Sequence, residues 1–192
     1  MIIAVGGWAG NQIDSDAIYD NTDLCIQQHI YSSITAAHIA SQLSVHYSLN
    51  VFTGSAAVLH NRSGNESMIS YTICKSAIHS LVRTLGLKHN GLPANSCSIG
   101  IAPLTMDTPN NRKFMSDCDF TSWTKRELIA ELIVRFSLMQ QYNHHIKHNI
   151  GTSIELDNYQ FQHIEEIKHI KLVNGGIYTF DTINNKTQIE IE

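Results

Sequence analysis

Ser70-Tyr-Thr-Ile-Cys-Lys-Ser76 decides how this chain is read, because the four-residue step from Tyr71 to Lys75 sets a phenol beside an ammonium on one helix face. A phenol in isolation ionises near a pH of about 10, and a neighbouring cation stabilises its anion. The spacing therefore predicts a proton donor usable near neutral pH. A plainer reading exists, a half-buried tyrosine above a solvated lysine, and the flanking segments decide between the two.

Those flanks read strand, helix, strand. One apolar segment ends at Thr53-Gly-Ser-Ala56 and another runs Cys97-Ser-Ile-Gly-Ile-Ala-Pro103, while Met1-Ile-Ile-Ala-Val5 suits a buried parallel strand. Gly6-Gly-Trp-Ala-Gly10 follows it, and glycines there let the backbone approach a ligand closely. The pattern predicts an α/β fold with strands at 2–5, 50–54 and 97–102. A helix is predicted over 23–47, capped within Asn21-Thr-Asp23, with Ile26, Ile30, Ile34 and Ala37 on one face. A second is predicted over 67–87, capped by Ser67, with Ile69, Ile73, Ala77 and Leu81 as its stripe. Both stripes read as sheet packing. A third helix is expected over 125–139, after a loop that contains Pro109.

The composition fits one globular domain: 192 residues, 43% hydrophobic and 16% charged, with a net charge of −4. Scattered Lys and Arg argue against a nucleic-acid footprint, and no apolar run approaches the length of a membrane span. Cys25, Cys74, Cys97 and Cys118 lie far apart without a Cys-x-x-Cys pair, which suits reduced thiols in a cytoplasmic protein. On that reading the sequon Asn61-Arg-Ser63 is unused.

Taken together, these segments resemble the short-chain dehydrogenase/reductase superfamily, and within it the dihydropteridine reductase family. Gly6-Gly-Trp-Ala-Gly10 is similar to that family's form of the superfamily's Asn-Ala-Gly loop, and Tyr71 to Lys75 to its catalytic Tyr-x-x-x-Lys. More specific are Leu104-Thr-Met-Asp-Thr-Pro-Asn-Asn-Arg-Lys113 and Phe120-Thr-Ser-Trp-Thr124, which resemble the substrate-side loop, and Asn174-Gly-Gly-Ile-Tyr-Thr-Phe180, which resembles the final strand. The resemblance implies the C-terminal part of a Rossmann-like doubly wound parallel sheet, lacking the first βαβαβ segment. That segment, about 80 residues, holds the dinucleotide pyrophosphate and selects the adenosine ribose. Its absence would leave one sheet edge open and predicts poor solubility unless a partner covers it.

What the resemblance implies chemically is hydride transfer from NADH, with NADPH left open, to a quinonoid dihydropteridine, giving the tetrahydropteridine used by aromatic amino acid hydroxylases. Tyr71 would donate the proton, and Lys75 would lower the phenol pKa and hydrogen-bond the nicotinamide ribose. Gly6, Gly7 and Gly10 would give the cofactor close backbone contact. Leu104 and Thr105 would meet the nicotinamide carboxamide, and Thr108 would help close the loop over it, although a plain turn needs similar residues. Trp8 either walls the pterin pocket or serves as a core aromatic. Ser55 stands where many superfamily members carry a substrate-binding serine, at a longer spacing from Tyr71 that extra residues in His60-Asn-Arg-Ser-Gly-Asn65 would absorb. It either assists the substrate or satisfies backbone groups, the second reading being favoured. His29 replaces the superfamily's helix asparagine and is not counted as catalytic. The helices over 23–47 and 67–87 would pair across a homodimer axis.

Two alternatives remain open on the sequence: another short-chain carbonyl reductase, which Ser55 allows, and a non-catalytic dimerising fragment. Residues 140–171 read as an insertion. His144 and His148 within it have no acidic or sulfur ligand nearby in sequence, so no metal site is assigned.

Overall fold

Near-continuous apolar runs make strands that are buried on both faces, and β2 (Leu49–Thr53) and β3 (Cys97–Pro103) are of that kind. The computed structural model describes residues 2–4, 6–59, 65–147, 167–168, 170–183 and 186–192. In it β1 (Ile2–Ala4), β2, β3 and β4 (Ile177–Ile183) lie side by side in parallel, and β5 (Lys186–Ile191) adds an antiparallel edge. Val51 pairs with Ile99, and Ile101 with Tyr178, so the alternation of side chains is in step across the sheet.

That alternation divides the core. Leu49, Val51, Ile99, Ile101 and Phe180 face Leu132 and Phe136 of α6 (Arg126–Lys147). Phe52, Ala102 and Ile177 face Ile78, Val82 and Leu85 of α4 (Ile69–Leu85), which follows the single turn of α3 (Ala56–Leu59). Helices on both faces of a parallel sheet make the architecture doubly wound, as expected. Among the described residues no helix is long and apolar enough to cross a membrane.

The first long helix begins earlier and ends earlier than predicted. The chain turns into it at Ser15, whose hydroxyl accepts the Ala17 N–H at 3.3 Å, while Asn21 is engaged with Asn11. It runs as α1 (Ile18–Cys25), a π-helical stretch (Ile26–Tyr31) and α2 (Ser32–Leu43). Ser44 turns to extended backbone and Tyr47 takes a φ of 64°, which ends it. The predicted stripe is only partly displaced: Ile26, Ile30 and Ala37 pack against the core beside the buried Cys25, His29, Ser33 and Ala40, whereas Ile34 is 51% exposed.

The stripe on α4 is split in the same way, with Leu81 packed against the core. Ser70, Cys74, Ile78, Val82 and Leu85 form the buried ridge, and Ile73 is 57% exposed. Small residues in the first turns let the helices approach closely, and Thr22 Oγ1 lies 2.7 Å from Ser70 Oγ between α1 and α4. Ser67 does not cap this helix; it belongs to the 3₁₀ turn Asn65–Ser67, and Met68 takes the N-cap position.

Helix α6 runs through to Lys147, past the predicted end at 139, so the first residues of the supposed insertion are helical. The remainder of that insertion up to 166, with His148, lies outside the described residues, as do 60–64 with the sequon. Asn174 then fastens the sheet: its Oδ1 accepts the Ser98 N–H at 2.8 Å. Gly175, at φ 83°, passes so close to Gly86 that a side chain on either would be obstructed.

Candidate active site

The turns after β1, β2 and β3 supply glycine, serine and threonine where side chains of a buried strand must end. They meet at one edge of the sheet and enclose a cleft of about 470 Å³. Gly6, Gly7 and Trp8 come from the first turn, Thr53, Gly54 and Ser55 from the second, and Pro103, Leu104 and Thr105 from the third. Tyr71 and Lys75 enter from α4. Ligands of open α/β sheets bind at the carboxyl ends of the strands, where this cleft sits. Another cavity of about 480 Å³, beside Tyr47 and Gln140 at the start of β2, contains none of the predicted residues.

Lys75 is 3% exposed, and its Nζ donates to the Thr53 carbonyl at 2.7 Å. Burial pushes its amine down to about 8. Nζ stands 5.6 Å from the centre of the Tyr71 ring. Here the sequence expectation needs correction. Burial raises the Tyr71 phenol above its ordinary value, and the group pulling it downward is the Ser55 hydroxyl, hydrogen-bonded to it, rather than the Lys75 ammonium. Ser55, itself 3% exposed, lines the cleft beside Tyr71.

His29 closes the floor. It lies in the π-helical stretch, is 1% exposed, and meets the Tyr71 ring edge to face at 5.5 Å between centres. Burial first, and the Lys75 charge second, push its pKa down to about 4, so the imidazole is neutral at pH 7. A side chain on Gly6 would run into this ring, and one on Gly7 into Gln28. The absence of side chains in the glycine turn therefore serves the helix beneath it as well as the cleft above.

Trp8 is 66% exposed on the cleft wall, which overturns the core-aromatic reading. Gly10 does not line the cleft; a Cβ there would come within 2.8 Å of the Ser67 carbonyl and 3.0 Å of the Trp8 ring. Thr108 is also set back. It caps α5 (Pro109–Phe114), its Oγ1 accepting the Asn111 N–H at 3.1 Å. Leu104 and Thr105 do face the cleft, and Thr105 and Asp107 are tied through backbone hydrogen bonds to Thr124 at 2.8 and 2.9 Å. Arg112 grips Asp107 with two hydrogen bonds, at 2.5 and 2.7 Å, and stacks over Phe120, which packs against Trp123. Two separate sequence blocks thus become one braced loop.

Sequence reading missed His79. It is 3% exposed one turn beyond Lys75, and its Nε2 accepts the Ser55 N–H at 3.1 Å. The available signal was the four-residue step repeated: Tyr71, Lys75 and His79 share a helix face. Among the described residues no cluster of metal-binding side chains occurs.

The chain is 40% identical over 137 residues to a dihydropteridine reductase of Dictyostelium discoideum, a match covering 71% of this chain and 58% of that protein. Over those residues the chain is similar in sequence to that reductase. It spans less than two thirds of that relative's length. Among solved structures it matches a short-chain dehydrogenase from Burkholderia cenocepacia J2315, solved with NADP, at a TM-score of 0.56 and 17% identity, covering 70% of this chain and 56% of that one. A 3-hydroxyacyl-CoA dehydrogenase type-2 from Mycobacterium avium matches at a TM-score of 0.51 and 15% identity, over 92% of this chain and 63% of its own. These likenesses establish the fold, part of a short-chain dehydrogenase sheet, and the likeness to dihydropteridine reductase rests on the sequence match. No protein-family model matches the chain.

Proposed function

We propose that this chain carries the proton-donating side of an NADH-dependent dihydropteridine reductase site, with NADPH as the second candidate cofactor. The observation that carries the reading is the meeting of Ser55, Tyr71, Lys75 and Trp8 in one cleft of a chain similar in sequence to such an enzyme. The reaction takes a quinonoid dihydropteridine, a hydride and a proton to a tetrahydropteridine. A reduced nicotinamide supplies the hydride when bound.

The residues fit that cofactor. Lys75 spends one of its three N–H donors on Thr53, and the others are available to ribose hydroxyls. Gly6 and Gly7 leave backbone exposed beside it. Tyr71 delivers its proton to the substrate nitrogen that gains electron density. A raised phenol pKa keeps that proton in place at neutral pH, and the Ser55 hydroxyl stabilises the phenolate left behind. Lys75, charged below a pH of about 8, adds electrostatic support. Trp8 offers an exposed ring on which a flat pterin stacks.

A homodimer goes with this reading. Tyr31, Ile34 and Ile73 expose apolar surface on the helices assigned to the dimer axis, and Ile34→Lys is expected to yield monomers in sedimentation velocity. The cysteines, free in the structure and three of them buried, suit the reducing cytoplasm. The placing of Ser55 beside Tyr71 in the cleft also favours a second reading, a carbonyl reductase. NADH oxidation measured with quinonoid dihydropteridine beside a panel of aldehydes and ketones separates them: pterin turnover supports the first, and carbonyl turnover alone supports the second.

A further inference from the structure

Ser55 and Tyr71 meet only if the turn after β2 holds one geometry, and His79 is the side chain beneath that turn. Its Nε2 accepts the Ser55 N–H at 3.1 Å, so the neutral ring carries its proton on Nδ1. The fit is close on a second count. A Cβ on Gly54 would lie 2.5 Å from His79 Nε2 and 3.2 Å from the Ala102 Cβ, so the preceding residue is glycine where the imidazole presses against the backbone. Ser55 and His79 are both 3% exposed, and water cannot replace the acceptor freely. The imidazole is neutral, as an acceptor must be: burial, then Arg83, then Lys75 push its pKa down to about 4.

We infer that His79 is a positioning residue that fixes the Ser55 backbone and so aims the Ser55 hydroxyl at the Tyr71 phenol. Helix α4 would then contribute three successive turns to one device: Tyr71 as donor, Lys75 as charge, and His79 as the anchor of the hydroxyl that Tyr71 contacts. The inference deepens the proposed reductase site and rests on it for its catalytic meaning. Its geometry is tested without turnover, so failure of the reductase reading and failure of this one are separate results.

The test reads the phenol directly. Tyr71→3-fluorotyrosine lowers the titration into an accessible pH range, and fluorine NMR follows its ionisation in otherwise wild-type, His79→Leu, His79→Gln and Ser55→Ala backgrounds. Losing one hydrogen bond to the phenolate raises the titration midpoint by about one pH unit. His79→Leu and Ser55→Ala are each expected to produce that rise, and the double variant no more than either alone. His79→Gln, whose side-chain carbonyl can replace Nε2 as acceptor, is expected to restore the wild-type midpoint. A Leu variant with the wild-type midpoint, or a Gln variant no better than Leu, overturns the inference. Should His79→Leu fail to fold, nitrogen-15 NMR of the wild-type chain decides: scalar coupling between the Ser55 amide nitrogen and His79 Nε2 supports the anchor, and its absence overturns it.

Discussion

Lys75 Nζ donates to the Thr53 carbonyl at 2.7 Å, and through that bond the end of β2 holds the ammonium beneath the cleft, 5.6 Å from the centre of the Tyr71 ring. The charge is buried without an acidic partner in the salt bridges described, an arrangement that costs stability and is typical of functional sites. Lys75→Met is therefore expected to lower turnover by about 10² or more while leaving the melting temperature unchanged or higher at pH 7. Parallel thermal melts and rate measurements check this; a variant that melts much lower and keeps its rate speaks against it.

The same burial predicts a pH dependence. Lys75 has a folded-state pKa of about 8, below its ordinary 10.5, so between those values the folded chain binds fewer protons than the unfolded one. Stability from this group therefore rises with pH across that window, by about 1.4 kcal/mol per pH unit, and is flat below it. Cys74, raised to about 11, and Cys97, raised to about 12, act in the opposite direction above their ordinary value of 9. Subtracting the Lys75→Met curve isolates the lysine. Denaturant midpoints of both proteins from pH 7 to 10 should show the wild-type chain gaining stability relative to Lys75→Met as pH rises; a constant difference would remove the argument for a desolvated amine.

Trp8 stands 66% exposed, so removing it takes little from the core. Trp8→Ala is expected to weaken pterin binding by about tenfold, the value of one good aromatic contact, with almost no change in stability. Calorimetric titration with a dihydropteridine measures the first and thermal denaturation the second. Unchanged affinity would move the stacking surface elsewhere.

Arg112 and Asp107 form an exposed pair, which by itself contributes little because solvent screens it. Arg112 nevertheless also covers Phe120 and so joins the two halves of the loop over the cleft. Arg112→Ala is expected to raise KM several-fold and to speed proteolysis within residues 104–124, with global stability nearly unchanged. A large loss of global stability would show that the bracing extends into the core.

Much of this was legible in the sequence, and the parts that were not have physical reasons. Parallel strands announce themselves as apolar runs, so β1, β2 and β3 were found closely. The helices were found too, with Ile26, Ile30, Ala37 and Leu81 packed against the core as expected, but Ile34 and Ile73 were misplaced, since they outweigh Ser33 and Cys74 in any hydrophobic count while close packing selects the smaller residues. Strand β5 was overlooked although Thr187, Ile189 and Ile191 alternate with polar residues. Motif and resemblance brought Tyr71, Lys75, Ser55 and Trp8 to one place. Spacing could not show that desolvation outweighs the Lys75 charge at the phenol, because burial is a property of the whole fold. Nor could it show that Gly10 and Thr108 serve the packing of neighbouring turns.

The most direct test of the account is NADH oxidation with freshly generated quinonoid dihydropteridine, measured on the wild-type chain and on Tyr71→Phe. Phenylalanine keeps the ring against His29 and removes only the proton donor. The account predicts pterin-dependent oxidation that falls by about 10² to 10⁴ in the variant while its melting temperature is retained. Oxidation that survives Tyr71→Phe undiminished, or none from the wild-type chain, contradicts it.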